Sequence, residues 1–174
     1  MFAHCFVDFA SLEEIGVQFK EGPIQGVVVR ELTKHSDPRG WLTELFRRDE
    51  IVEGSMPVMS YVSATEPESV RGPHEHRHQS DFFCLVGPST FRFYLWDTRR
   101  ESPTYLHKTT IDAGKDLPRS IIIPAGVVHA YKNTGTDEGW VLNFPNRLYG
   151  GTGHGEAIDE VRHENDPNSP FILD

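Results

Sequence analysis

The sequence has little that would staple it, anchor it in a membrane or make it basic. Two of its 174 residues are cysteine, Cys5 and Cys84, far apart and without zinc-ligand spacing. A disulfide framework and a cysteine metal site are thereby excluded. Cys84 lies in an apolar stretch and is expected to be a reduced core thiol. No apolar run approaches the roughly 20 residues needed to cross a bilayer. The start, Met-Phe-Ala-His-Cys, lacks the basic residues and long apolar stretch of a signal peptide. A cytoplasmic protein with no membrane partner is the expectation. Basic residues are scarce: 17 Lys and Arg against 26 Asp and Glu leave a net charge of −9. Phosphate contact along a nucleic acid needs clustered cations, so no nucleic-acid partner is expected.

What is present is punctuation. Fifteen glycines and twelve prolines break the chain into short apolar runs, the pattern of an all-β fold with frequent turns. One domain spanning 1–174 is expected, with its core over about 24–145 and an irregular tail at 146–174. Ser11, followed three residues later by Glu14, is expected to cap a short helix within residues 1–22. Strands are expected over 24–32, 41–46 and 58–64, then through a histidine-rich strand within 71–87 with 90–96 as its hairpin partner. Four more follow over 105–111, 120–123, 127–132 and 140–144. The main early turn is Asp37-Pro38-Arg39-Gly40. About nine short strands at hairpin spacing point to a double-sheet jelly roll or a small barrel.

The chemistry concentrates at residues 71–87. His74, His76 and His78 alternate, and alternate positions on a strand face the same way. Asp81 follows, and a distant His129 sits just beyond the tight turn Pro124-Ala125-Gly126. Three readings are open. His74, His76, Asp81 and His129 would suit a divalent transition metal. Alternatively, His74 is a general base that removes a proton alpha to a ketone. The third reading leaves these histidines hydrogen-bonded or facing solvent.

The stretches His-x-His-x4-Asp-x5-Gly and Pro-x-Gly-x2-His-x3-Asn resemble the two motifs of the cupin superfamily, with Asp81 where Glu is usual. That resemblance implies a double-stranded β-helix barrel with its site inside. A narrower resemblance covers about 24–167: Asp37-x-Arg39-Gly40-Trp41-x-x-Glu44-x-Phe46, Arg71-Gly72-Pro73-His74, Asp97-x-Arg99-x-x-Ser102-Pro103-Thr104, Ile123-Pro124-x-Gly126-x-x-His129 and Asn165-Asp166-Pro167. These are similar, in order, to the signature segments of the dTDP-4-dehydrorhamnose 3,5-epimerase family. The family acts without metal on dTDP-linked 4-keto-6-deoxysugars in nucleotide-sugar metabolism.

The resemblance implies His74 as the base, with His76 or a tyrosine as proton partner. Arg39, Glu44 and Arg71 fall at positions that hold the nucleotide diphosphate, and His129, with Tyr131, lines the sugar pocket. It implies no cofactor, and a homodimer in which an N-terminal strand, here 24–32, crosses to the neighbour. The family's acid tyrosine falls near Asn143 and its lysine near Asp81. The family's histidine-orienting aspartate is expected in a C-terminal segment that this sequence does not match, and Tyr131 or Tyr149 would be the substitute acid. The paired His74-x-His76 also resembles a sister group, the dTDP-4-keto-6-deoxyglucose 3,4-ketoisomerases.

Among the remaining residues, Trp96 and Trp140 are expected in the core, whereas Trp41 is as readily a stacking platform. Asp97 with Arg99 and Arg100 is expected as a surface ion pair. The Gly-rich stretch 150–155 lacks a strand-to-helix context and reads as a turn, not a phosphate loop.

Overall fold

A computed structural model of the chain describes residues 18–174; Cys5 and the Ser11-capped helix lie outside the described residues. The strands in chain order are β1 Lys20–Glu21, β2 Val28–Glu31, β3 His35–Asp37, β4 Gly40–Leu42, β5 Tyr61–Thr65, β6 Val70–Glu75 and β7 Asp81–Leu85. They continue as β8 Thr90–Asp97, β9 His107–Gly114, β10 Arg119–Ile123, β11 Val127–Asn133, β12 Gly139–Asn143 and β13 Val161–Arg162. Six form one sheet, in the order β1-β9-β8-β11-β6-β13, and five the facing sheet, β2-β10-β7-β12-β5. The fold is the cupin jelly roll with N-terminal extension strands. No helix among the described residues is long and apolar enough to cross a membrane.

Between the sheets lies a core built from alternate residues: Phe83 and Leu85 of β7, Phe91, Phe93 and Leu95 of β8, Ile121 and Ile123 of β10, and Val141 of β12. Each such fully buried side chain contributes roughly 1.5–3 kcal/mol. Two smaller clusters cover the outer faces. Tyr94, Trp96 and Phe171 pack on the six-stranded sheet, and Phe82, Cys84 and Ile122 pack under Leu45 and Ile51 on the other. Burial on both faces explains why 81–85 is a continuous apolar run after Asp81 instead of an alternating one.

Several expectations are corrected. The histidine-rich stretch is two strands: β6 ends at Glu75 and β7 begins at Asp81, in the opposite sheet. The amides of Arg77, His78 and Gln79 donate to the Asp159 carboxylate, so they are withdrawn from any ladder. The 90–96 strand is not the partner of β7. β8 pairs with β9 and β11, whereas β7 pairs with β10 and β12. The expected 41–46 strand stops at Leu42, in a small hairpin with β3 around the Asp37–Gly40 turn. The C-terminal segment is irregular in most of its length, yet it supplies β13 and docks Phe171 on the sheet.

Trp96 is buried, but Trp140 is half exposed. Val141 and Asn143 point inward, so Trp140 faces out, and the covering segment reaches Leu142 instead. Asp97 is not a surface residue. Its fully buried carboxylate accepts from Arg99 Nε at 2.8 Å, Ser102 Oγ at 2.6 Å and Thr104 Oγ1 at 2.6 Å. These bonds tie the loop after β8 into one unit. Replacing Asp97 by Ala strands a part-buried guanidinium nitrogen and two hydroxyls. The expected loss is about 3 kcal/mol or more of unfolding free energy, measured by urea titration.

Candidate active site

Register brings the histidines together. β6 and β11 are antiparallel neighbours, and His74 stands directly opposite His129. Their ring centroids are 4.4 Å apart. His76, one residue past the end of β6, lies 5.6 Å from His74 and 6.0 Å from His129 by the same measure. One nitrogen from each of the three rings lies within 4.8 Å of the others. His78 is exposed and outside this cluster, because the strand has already ended.

Asp81 approaches from the opposite sheet. Its carboxylate is buried, 3.2 Å from His76 Nε2 and 3.4 Å from His129 Nε2. The contact to His129 lacks hydrogen-bond geometry, and His129 Nε2 is a buried nitrogen without a hydrogen bond; Nδ1 of that ring meets the Val127 carbonyl at 3.1 Å. Asp81 Oδ1 accepts from Gln79 Nε2 at 2.9 Å and Asn143 Nδ2 at 2.8 Å. On its far side His76 Nδ1 meets the backbone carbonyl of Asp159.

These contacts split the histidines into different protonation states. Burial holds His74 far below the usual imidazole range, and the neighbouring His129 and His76 push the same way. Burial also lowers His129. His76 goes the other way. Burial opposes its charge, but the hydrogen bond and charge of Asp81 and the Asp159 carbonyl raise it to about 9. Burial alone would raise Asp81, yet His76, His129 and Asn143 hold it below the usual carboxylate range. At neutral pH a neutral His74 therefore sits beside an imidazolium–carboxylate pair.

His74 and His76 line a cavity of about 980 Å³ together with Arg71, Tyr131, Tyr61 and Arg162; His129, expected to line it, is buried behind His74 and is not part of its wall. Arg71 Nε donates to Thr65 Oγ1 at 3.1 Å and an Nη to the Ala64 carbonyl at 2.8 Å, which fixes its guanidinium at the wall. The Tyr131 ring stacks on Phe93 at 5.1 Å. Arg39 and Glu44 are not brought here. Arg39 is an exposed residue of the β3–β4 turn paired with Asp37, and Glu44 lines a separate, smaller pocket with Arg47 and Phe82. Tyr149 is half exposed on the cavity rim.

Two residues with a place in the site went unnoticed in the sequence. Asp159 clamps the 77–79 amides and carries the carbonyl against His76; nothing distinguishes it among the acids of a polar tail. Tyr61 faces the cavity from β5, directly opposite Asn143 in register, and accepts a hydrogen bond from Asn143 Nδ2 at 2.8 Å. Burial raises its hydroxyl to about 12. The signal for Tyr61 was the alternation of Tyr61, Ser63 and Thr65 against Val62 and Ala64.

The His76 charge has a stability consequence. A folded pKa above the ordinary imidazole value of about 6.5 stabilises fully below that value and is lost as pH rises through about 9. The stability advantage of wild type over His76→Gln should therefore shrink across that window, read from thermal melts at a series of pH values. A constant advantage would mean the ring is uncharged.

Three comparisons bear on this geometry. The family model for dTDP-4-dehydrorhamnose 3,5-epimerase matches residues 21–149. The chain is 38% identical over 128 residues, 72% of this chain and 81% of the relative, to the probable low-salt glycan biosynthesis epimerase Agl13 of Haloferax volcanii. It is 33% identical over 127 residues, 72% of this chain and 82% of the relative, to the spore coat polysaccharide biosynthesis protein SpsL of Bacillus subtilis. In fold it resembles the crystal structure of a dTDP sugar isomerase from Desulfovibrio desulfuricans G20, with a TM-score of 0.73, 22% identity, and 86% of this chain against 91% of that one. With three quarters of its length matched and the facing sheets of a cupin around a histidine-lined cavity, this chain belongs to the dTDP-4-dehydrorhamnose 3,5-epimerase family of enzymes.

Proposed function

We propose that this enzyme epimerises or isomerises a dTDP-linked 4-keto-6-deoxysugar for polysaccharide synthesis, using His74 as the base. The observation that carries the reading is a neutral, half-buried imidazole next to a cationic one in a cavity large enough for a sugar nucleotide. Neutral His74 has a free electron pair at physiological pH and takes a proton from a carbon next to the ketone. The electron pair of the broken C–H bond moves onto the carbonyl oxygen. The resulting enolate charge is stabilised by the His76 imidazolium, which does the work of the lysine that Asp81 replaces. Arg71 meets the diphosphate, where a guanidinium makes bidentate bonds. Tyr131 shapes the sugar pocket, and His129 packs against the His74 ring behind it. Paired imidazoles also suit a 3,4-ketoisomerase course, in which the proton is returned to the neighbouring carbon.

The reading includes a cytoplasmic homodimer. Arg39 and Glu44 lie away from the cavity, beside the exposed Trp41 and Leu42; a second copy would cover these apolar side chains and give both polar residues a ligand to meet.

A second reading has support of its own. His74, His76 and His129 could hold a divalent transition metal, and the unbonded His129 Nε2 is a donor that such an ion would satisfy. The ion would supply a Lewis acid for the keto oxygen. Elemental analysis of the purified protein separates the two: a stoichiometric metal favours this reading, and a metal-free active enzyme the first.

In D2O with dTDP-4-keto-6-deoxyglucose, wild type should exchange a sugar C–H for deuterium, and His74→Asn should slow this by about 10²–10⁴-fold. Wild type that neither exchanges any sugar position nor binds dTDP would sink the reading. Arg71→Ala should weaken dTDP binding by about tenfold or more in calorimetric titration, with the circular dichroism spectrum unchanged.

A further inference from the structure

Inversion at a carbon needs two groups: one removes the proton from one face, the other returns a proton to the opposite face. His74 belongs to β6 of the six-stranded sheet. His129 is in that sheet as well, and His76 extends from its edge. A donor for the second face must come from the five-stranded sheet across the cavity. Three hydroxyl candidates can be compared. Tyr131 lies on β11, in the same sheet as His74, and its hydroxyl is engaged by Ser63 and Thr65. Tyr149 lies outside both sheets on the exposed rim. Tyr61 lies on β5, in the facing sheet, and lines the cavity with His74.

The surroundings of Tyr61 suit proton donation. Asn143 Nδ2 donates one hydrogen to the Tyr61 oxygen and the other to Asp81, both at 2.8 Å, while Asn143 Oδ1 accepts from the Phe82 amide at 3.2 Å. A flip of the amide would set its oxygen against the Asp81 carboxylate and its NH2 against the Phe82 amide, losing both of those bonds. The phenol oxygen is thus the acceptor in this contact, and its own hydrogen remains for another partner. A phenolate left after donation keeps the same N–H bond, which strengthens toward a charged acceptor. The side-chain amide at 143 cannot be an acid, but it positions one.

We propose that Tyr61 is the catalytic acid, delivering a proton to the face of the enolate opposite His74; this rests on the epimerase reading above. The balance is simple. His74 gains the proton lost by the sugar carbon, the enolate carbon forms a new C–H bond with the Tyr61 proton, and the ketone reforms. Imidazolium and phenolate then return to neutral imidazole and phenol by losing a proton to water and taking one from it.

The test uses the full-length enzyme and dTDP-4-keto-6-deoxyglucose in D2O, reading exchange by mass spectrometry and configuration by NMR. Tyr61→Phe should keep exchange within about tenfold of wild type, with configuration retained, while inverted product falls by about 10²-fold or more. Tyr61→Phe that inverts within threefold of wild type, roughly 0.7 kcal/mol, overturns the assignment. Wild type that exchanges no position defeats the epimerase reading itself, and the Tyr61 role falls with it. Should Tyr61→Phe lose exchange and inversion together, fluorotyrosine at position 61 decides. Its more acidic phenol preserves the ring and should move the alkaline limb of the inversion rate to lower pH; an unmoved limb overturns the proposal.

Discussion

One buried carboxylate sets the arrangement of the site. Asp81 is 1% exposed, and removing a charge from water costs several kcal/mol unless it is well paired. Its pairing spans the interior: His76 and His129 belong to the six-stranded side, while Asn143 and Gln79 reach it from its own side. Satisfying this single charge fixes the position of two imidazoles and the orientation of one amide. It also decides which imidazole is charged. His76 touches the carboxylate and holds a proton; His74 does not touch it and remains neutral. Two histidines two residues apart thus acquire opposite chemical roles from one partner.

The walls impose a second constraint. Gly72 has a φ of +83°, and a Cβ there would lie 2.6 Å from the His129 carbonyl oxygen and 3.0 Å from His74 Nδ1. Only glycine lets β6 approach β11 closely enough for the two rings to meet. From outside, Asp159 accepts three consecutive amides at 77–79 while its own carbonyl faces His76. The C-terminal segment is therefore part of the site, although it forms almost no regular structure.

How much was legible follows from how local each signal was. The strands at 120–123, 127–132 and 140–144 were readable, since β-branched and aromatic runs between turn residues leave few alternatives. The pairing of His74 with His129 was readable through the cupin motif. The break between β6 and β7 was not: it depends on Asp159, some eighty residues away, taking the loop amides. Trp140 was misjudged because hydrophobicity says nothing about which face is covered. Asp97 was misjudged for the converse reason: Arg99 balances its charge while Ser102 and Thr104 donate to it, and spacing does not reveal that this cluster is buried. Alternation along 61–65 put Tyr61 on the same face as Ser63 and Thr65, but its partner Asn143 lies across a strand pair and could not be read locally.

Charge distribution completes the argument. A chain with a net charge of −9 is a poor long-range attractor for a nucleotide diphosphate. Recognition of such a ligand must then be local. The deep end of the cavity is nearly neutral, because the imidazolium of His76 cancels Asp81 and both other imidazoles are uncharged. Toward the opening, Arg71, Arg147 and Arg162 line the same cavity with Glu156, Asp159, Glu160 and Glu164, and Glu160 pairs with Arg162 at 2.8 Å, which leaves Arg71 and Arg147 as the cations for an anionic ligand. Arg162 also stands opposite His74 in the β13–β6 register, and its charge is one of the influences that keep that ring unprotonated. On the proposed reading, cations near the mouth hold the diphosphate while the sugar extends into the neutral end. A neutral interior then serves the chemistry, since a free anion there would raise the His74 pKa and repel the developing enolate. The lysine and tyrosine positions of the family need not be filled for this to work; their charge and proton can come from His76 and from the residue across the strand pair.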